Sequence, residues 1–200
     1  MRILLVFFLF LITAYTGKAQ PSTNDIQVIL NQNSLNKLFL ALGPVFGSGN
    51  YTLLFWKGSY QWTLESPHIE LSDNCADFQA QVTVDSGPFR YQSYISGDVS
   101  IIYLPDSNKI VIQVTSAILP LYVNLFGSKT HVKNIDLASS FKDPFKFDGP
   151  LSLTSDMDFT MPDGYTRRVH ALPVNCQIIV SYHQIIVPCG IEFVTVSIKK

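Results

Sequence analysis

Asp156 and Asp158 stand two apart in an alternating segment, so both carboxylates fall on one strand face. A carboxylate pair can serve acid–base chemistry, but aspartates alternating on an outward face usually solvate and protect a strand. The histidines, His68, His131, His170 and His183, are scattered and lack metal-ligand spacing. Arg167 and Arg168 read as a solvated hairpin arm rather than an anion site. No Gly-x-Ser-x-Gly, His-Glu-x-x-His, Cys-x-x-Cys or phosphate-binding glycine loop occurs. The expectation is a non-enzymatic protein without cofactor, metal site or catalytic residues.

Of the three cysteines, Cys176 and Cys189 fall opposite one another if residues 174–180 and 185–194 form a hairpin with its tip at 181–184. Val180 then faces Ile185, and Ile178 faces Val187. Directly opposed Cα atoms lie about 4.5–5.5 Å apart, within disulfide reach. The pair is either a disulfide or two buried thiols. Pro188 has no N–H and prefers a non-hydrogen-bonded site, which would put Cys189 at a hydrogen-bonded one, where the bond is harder to make. Cys75 is left over, buried or at a strand edge. The aromatics Phe55, Trp56, Tyr60 and Trp62 could stack a sugar or meet a membrane surface, but their alternation favours core packing, with Trp56 or Tyr60 at the rim.

These residues must be held by strands. Phe78, Ala80, Val82 and Val84 alternate with polar residues, as do Phe89, Tyr91, Ile95, Val99, Ile101 and Tyr103. Folding about residues 85–88 sets Val84 against Phe89, Val82 against Tyr91 and Phe78 against Ile95. Folding about 105–108 sets Tyr103 against Ile110, Ile101 against Ile112 and Val99 against Val114. A slip by one residue would invert each face, so agreement between the two hairpins supports a long antiparallel sheet with one apolar face. Further strands are expected at 26–30, 51–56, 60–64, 68–71, 119–126, 129–135 and 151–161. Pro162, Asp163 and Gly164 form a three-residue turn that sets Met157 against Val169. Residues 138–150 read as a connection. One helix is legible at 34–42: Asn33 or Ser34 caps it, Leu35, Leu38, Phe39 and Leu42 form its apolar stripe, and Gly43-Pro44 ends it.

Arg2 followed by ten apolar residues at 3–12, with Gly17 and Ala19 before the expected cut, reads as a secretory signal peptide over residues 1–19. Residues 20–200 then form a single β-rich domain, exported to a periplasmic or extracellular space. Arg2 and Lys18 leave with the leader, so 12 of the 14 basic groups remain against 15 acidic ones, a formal charge of −3. That balance argues against nucleic acid as a partner.

The expected helix is about 15 Å long, whereas a strand over 89–103 reaches about 50 Å. The surplus apolar face must meet itself, another sheet, a lipid or a protein. Gly97, inward and mid-strand, marks a bend. The fold class expected is mainly β, with one N-terminal amphipathic helix and a long curled antiparallel meander wrapped around it. The opening Ile26-Gln27-Val28-Ile29-Leu30, the run Ser34-Leu35-Asn36-Lys37-Leu38, and Pro67-His68-Ile69-Glu70-Leu71 with its meander to Ile112 resemble small exported bacterial members of the tubular lipid-binding superfamily. The resemblance covers residues 26–125 and implies a bent sheet around a helix beside a lipid-binding groove. Such a groove would be lined by Leu35, Leu38, Phe39, Leu42, Phe78, Val82, Tyr91, Ile95, Val99, Ile101, Ile112 and Val114. Three functional classes follow: a soluble binder of lipid or another apolar small molecule, a module that holds a protein partner, or a small outer-membrane barrel. The early helix and the ending Ser197-Ile198-Lys199-Lys200 argue against the barrel.

Overall fold

The computed structural model describes residues 24–87, 89–150 and 156–196. The expected leader, and Leu151 and Leu153 of the expected strand 151–161, lie outside them. Strand β1 (Ile26–Asn31) runs directly into helix α1 (Gln32–Leu42). Then follow β2 (Val45–Leu53), β3 (Trp56–Ser72), β4 (Cys75–Ser86), β5 (Phe89–Leu104), β6 (Lys109–Val114), β7 (Ile118–Leu125) and β8 (Ser128–Asp136). The chain continues through β9 (Phe145–Asp148), β10 (Met157–Thr160), β11 (Thr166–Val174), β12 (Ile179–Ser181) and β13 (Gln184–Val196). Three curled antiparallel sheets result: β2-β3-β4-β5-β6-β9, the hairpin β7-β8, and β1-β13-β11-β10 with β12 also on β13. The fold is mainly β with one helix, as expected.

The alternation faces hold and one register shifts. Val99 with Val114, Ile101 with Ile112 and Tyr103 with Ile110 pair as expected, as does Met157 with Val169. In the first hairpin the partners move by two residues: Val84 pairs Tyr91, Val82 pairs Ser93 and Phe78 pairs Gly97. The tip is shorter than the expected four-residue loop, because Ser86 pairs Phe89 and Gly87 takes φ 65°. An even shift leaves every side chain on its face.

The sheet boundaries differ from those expected. β2 begins at Val45, across glycines that weaken a strand signal. Trp62 and Tyr60 pack over Gly47 and Gly49, where a Cβ would overlap their rings. The expected strands 60–64 and 68–71 are one strand, β3, with a bulge between Glu65 and His68. The bulge holds Pro67, which cannot donate to the ladder, and Ser66 at φ 50°. Residues 138–150 contain β9, which pairs β6.

The apolar face is covered mostly by the chain itself. β7 contributes Leu119 and Leu121, and β13 contributes Ile185, Val187 and Cys189, to one core with Leu64, Ile69, Phe78, Val82 and Ile112. Gly97, where a bend was expected, is a point of close backbone approach: Asp98 N–H donates to the Ser116 carbonyl at 3.1 Å, and a Cβ at 97 would overlap that carbonyl. Tyr91 ties the layers together, its hydroxyl donating to the Pro120 carbonyl at 2.9 Å and accepting the Tyr122 N–H at 3.0 Å.

Helix α1 starts two residues before the expected position, with Asn31 as its N-cap and no side-chain cap bond. Leu35 and Phe39 are 1% and 2% exposed, and the Phe39 ring meets Phe145, Phe78 and Phe141 at 4.9–6.4 Å between centroids. Leu42 is 56% exposed and stands outside the core, contrary to expectation. Beside the apolar stripe the helix carries polar contacts to β3. Asn36 Oδ1 accepts the Ile69 N–H at 2.8 Å, and its Nδ2 donates to the Ile69 carbonyl at 3.0 Å. Gln32 Oε1 accepts the Leu71 N–H at 2.7 Å. β2 leaves β3 at Leu64, so these amides satisfy an edge that would otherwise be open.

Candidate functional site

Two prolines frame a hollow beside the helix. Gly43, at φ 74°, and Pro44 stop α1. Pro67 in the β3 bulge turns the facing strand aside. Between them lies an open groove of about 590 Å³, lined by Phe39, Leu40, Gly43, Pro44, Pro67, Asn36, Glu65, Ser66 and His68. Its size falls in the usual range for small-molecule sites. The wall from the helix is apolar apart from Asn36, whose amide bonds Ile69, and Glu65, Ser66 and His68 supply polar groups on the strand side. His68 Nδ1 donates to the Ser66 carbonyl at 3.2 Å, which fixes the proton on that nitrogen because a carbonyl only accepts. A second hollow of about 370 Å³ shares Ser66 and His68 and reaches Ala80, Tyr94 and Ile95.

The twelve residues expected to line a groove separate into three groups. Leu35, Phe39, Phe78, Val82, Ile95, Ile112 and Val114 are buried core, each at most 5% exposed. Tyr91, Val99 and Ile101 are half-buried and pack on that core, and Leu38 is half-buried. Leu42 faces solvent. Of the twelve, Phe39 borders the first hollow and Ile95 the second. Most of the expected lining is thus buried core, and the larger of the two hollows lies at the helix C-terminus. Leu40 and Pro67, the main apolar residues missed, had a signal: a proline inside an otherwise alternating strand forces a bulge and so a gap.

Cys176 and Cys189 form a disulfide with Cα atoms 4.2 Å apart. The Pro188 expectation is reversed. Gln177 N–H donates to the Pro188 carbonyl at 3.2 Å, so Pro188 occupies a hydrogen-bonding position and Cys189 the closer, non-hydrogen-bonded one. The missing donor of Pro188 is also where the strand lapses before β12. The bond points to an oxidising compartment, and no described helix is long and apolar enough to cross a membrane. Cys75 is exposed at the start of β4.

Asp156 and Asp158 are each taken up by a cross-strand partner. Arg168 grips Asp158 with two hydrogen bonds, at 2.8 and 2.9 Å, and His170 Nδ1 donates to Asp156 at 2.8 Å. The Arg168 guanidinium lowers the Asp158 pKa. His131 pairs with Asn134, and His183 lies in the β12-β13 turn at φ 62°. No metal-ligating cluster occurs among the described residues. Of the four aromatics, Tyr60 and Trp62 are buried, whereas Phe55 and Trp56 are 85% and 52% exposed.

Comparison with family models, curated proteins and solved structures finds no match to this chain.

Proposed function

We propose that this chain is an exported, non-enzymatic binder of a lipid or similar apolar molecule, held in the groove between the end of α1 and the β3 bulge. The observation that carries this reading is the groove itself, an apolar wall of Phe39, Leu40, Pro44 and Pro67 facing a few polar groups. An acyl chain laid on that wall would leave its head near Ser66 and His68. The burial of Leu35, Phe78, Val82 and Ile112 in the core favours a shallow site that holds part of a chain over one that encloses it. Leu40 is 75% exposed, so Leu40→Asp alters the wall without touching the core. Fluorescent fatty-acid uptake should fall about tenfold or more in Leu40→Asp with the melting temperature unchanged. Equal uptake by wild type and variant would remove the groove from consideration.

A second reading, a protein-holding module, draws on a different surface. Phe159 and Phe193, 49% and 62% exposed, share a face of the β10-β11-β13 sheet with Met157 and Val169 by strand register. Two features weigh against the membrane-barrel reading. Among the described residues the strand orders are open paths, and the buried apolar residues of β3 to β6 face inward onto a core, whereas a spanning barrel is closed with its apolar face outward.

A further inference from the structure

The β2-β3 hairpin ends in Leu53-Leu54-Phe55-Trp56, with Leu53 paired to Trp56 across a two-residue turn. Leu54 and Phe55 are 81% and 85% exposed, and the Phe55 and Trp56 rings lie 6.5 Å apart. Pairing of β3 with β4 begins only at Gln61, so residues 56–60 carry the ribbon roughly 16 Å past the neighbouring strand. Leu54 adopts φ 55°, a left-handed conformation that is strained for leucine and easy for asparagine or glycine. The same chain uses asparagine at left-handed positions 74, 108 and 175. Lys57 is the only charged residue between Val45 and Gln61.

We propose that this tip inserts into a lipid bilayer surface, independently of the groove. The tip is convex and protruding, so it suits a fluid surface that closes around it. Leucine and phenylalanine at the apex would enter the acyl boundary. Trp56 would sit at headgroup depth, where indole is favoured, and Lys57 would meet lipid phosphate. Insertion to about 5–10 Å leaves the ribbon's ladder outside the hydrocarbon. Because the ribbon carries a single positive charge, zwitterionic lipid suffices.

The chain's two tryptophans allow a direct test, because Trp62 is 6% exposed and serves as an internal reference. The protein with its disulfide intact is titrated with phosphatidylcholine vesicles, plain and with brominated acyl chains. Emission should shift to the blue and be quenched by the brominated lipid, and Trp56→Phe should lose both effects. Leu54→Ser with Phe55→Ser should lower partitioning about tenfold per side chain, with melting and fatty-acid uptake unchanged. No vesicle response in the wild type would overturn the proposal. So would undiminished partitioning of the double variant, or binding only to anionic vesicles that salt abolishes. Binding of the tip by a protein while vesicles give no response would also overturn it.

Discussion

Replacing Asn36 by leucine tests how the helix is held. Leucine keeps the branched side-chain shape and is the better helix former by a few tenths of a kcal/mol, so any loss of stability reflects the amide. It strips partners from two backbone groups, the Ile69 N–H and carbonyl, at 2.8 and 3.0 Å in the native chain. An orphaned buried polar group costs about 1–3 kcal/mol. Both bonds are only partly buried, so water recovers some of that loss and about 2 kcal/mol in total is expected. A domain of this size loses about 2–4 °C per kcal/mol, giving a fall of roughly 4–8 °C. Gln32→Leu removes one bond, to the Leu71 N–H, and should cost about 1 kcal/mol. The bonded groups are neighbours on one strand edge, so the double variant should deviate from additivity. Freed of its amides, the β3 edge should also promote self-association. Urea unfolding with sedimentation velocity measures both effects, and Asn134→Ala, at an exposed His131 contact, is the control. Wild-type stability and monodispersity in Asn36→Leu would refute the edge-capping argument.

Gly97→Ala should cost about 3 kcal/mol or more, because the new Cβ overlaps the Ser116 carbonyl; chemical denaturation measures it. Opening the Cys176–Cys189 bond, which spans 13 positions, should cost about 3 kcal/mol, read as the stability of the double serine variant. Tyr91→Phe should cost about 1–2 kcal/mol by orphaning the Tyr122 N–H. Burial raises the Tyr91 pKa above its ordinary 10.0. Its stabilising effect is therefore complete below pH 10 and lost as pH climbs through the raised value, which alkaline unfolding of wild type against Tyr91→Phe should show. The Asp158 pKa is lowered by Arg168, so its contribution is present above the ordinary carboxylate range and fades as pH drops through the lowered value. Asp158→Asn should accordingly match wild type in strongly acidic unfolding assays.

Alternation made the long strands legible because one buried face demands period two, and the β5-β6 pairing followed residue for residue. The β4-β5 partners slipped by two because faces constrain parity alone, and the tip length decides the rest. β2 and β9 were obscured for different reasons. Gly47 and Gly49 lack side chains to alternate, and Phe145 and Phe147 stand in a segment punctuated by Pro144 and Gly149. The cysteine pairing was readable from Val180 and Ile185, whereas the role of Pro188 needed the hydrogen-bond direction. Apolar periodicity points along the core stripe, because it marks buried residues without distinguishing a filled interior from a hollow one. The amides of Gln32 and Asn36 look like ordinary solvated helix positions until the exposed β3 edge is known.

The proposed function requires an apolar ligand in the groove at the end of α1. Mass spectrometry of lipids extracted from the protein, purified under non-denaturing conditions from the cells and medium that produce it, measures this directly. A near-stoichiometric acyl lipid on the wild type that is depleted on Leu40→Asp is the result expected. A wild-type protein that carries no lipid, or a lipid content unchanged by Leu40→Asp, would contradict it.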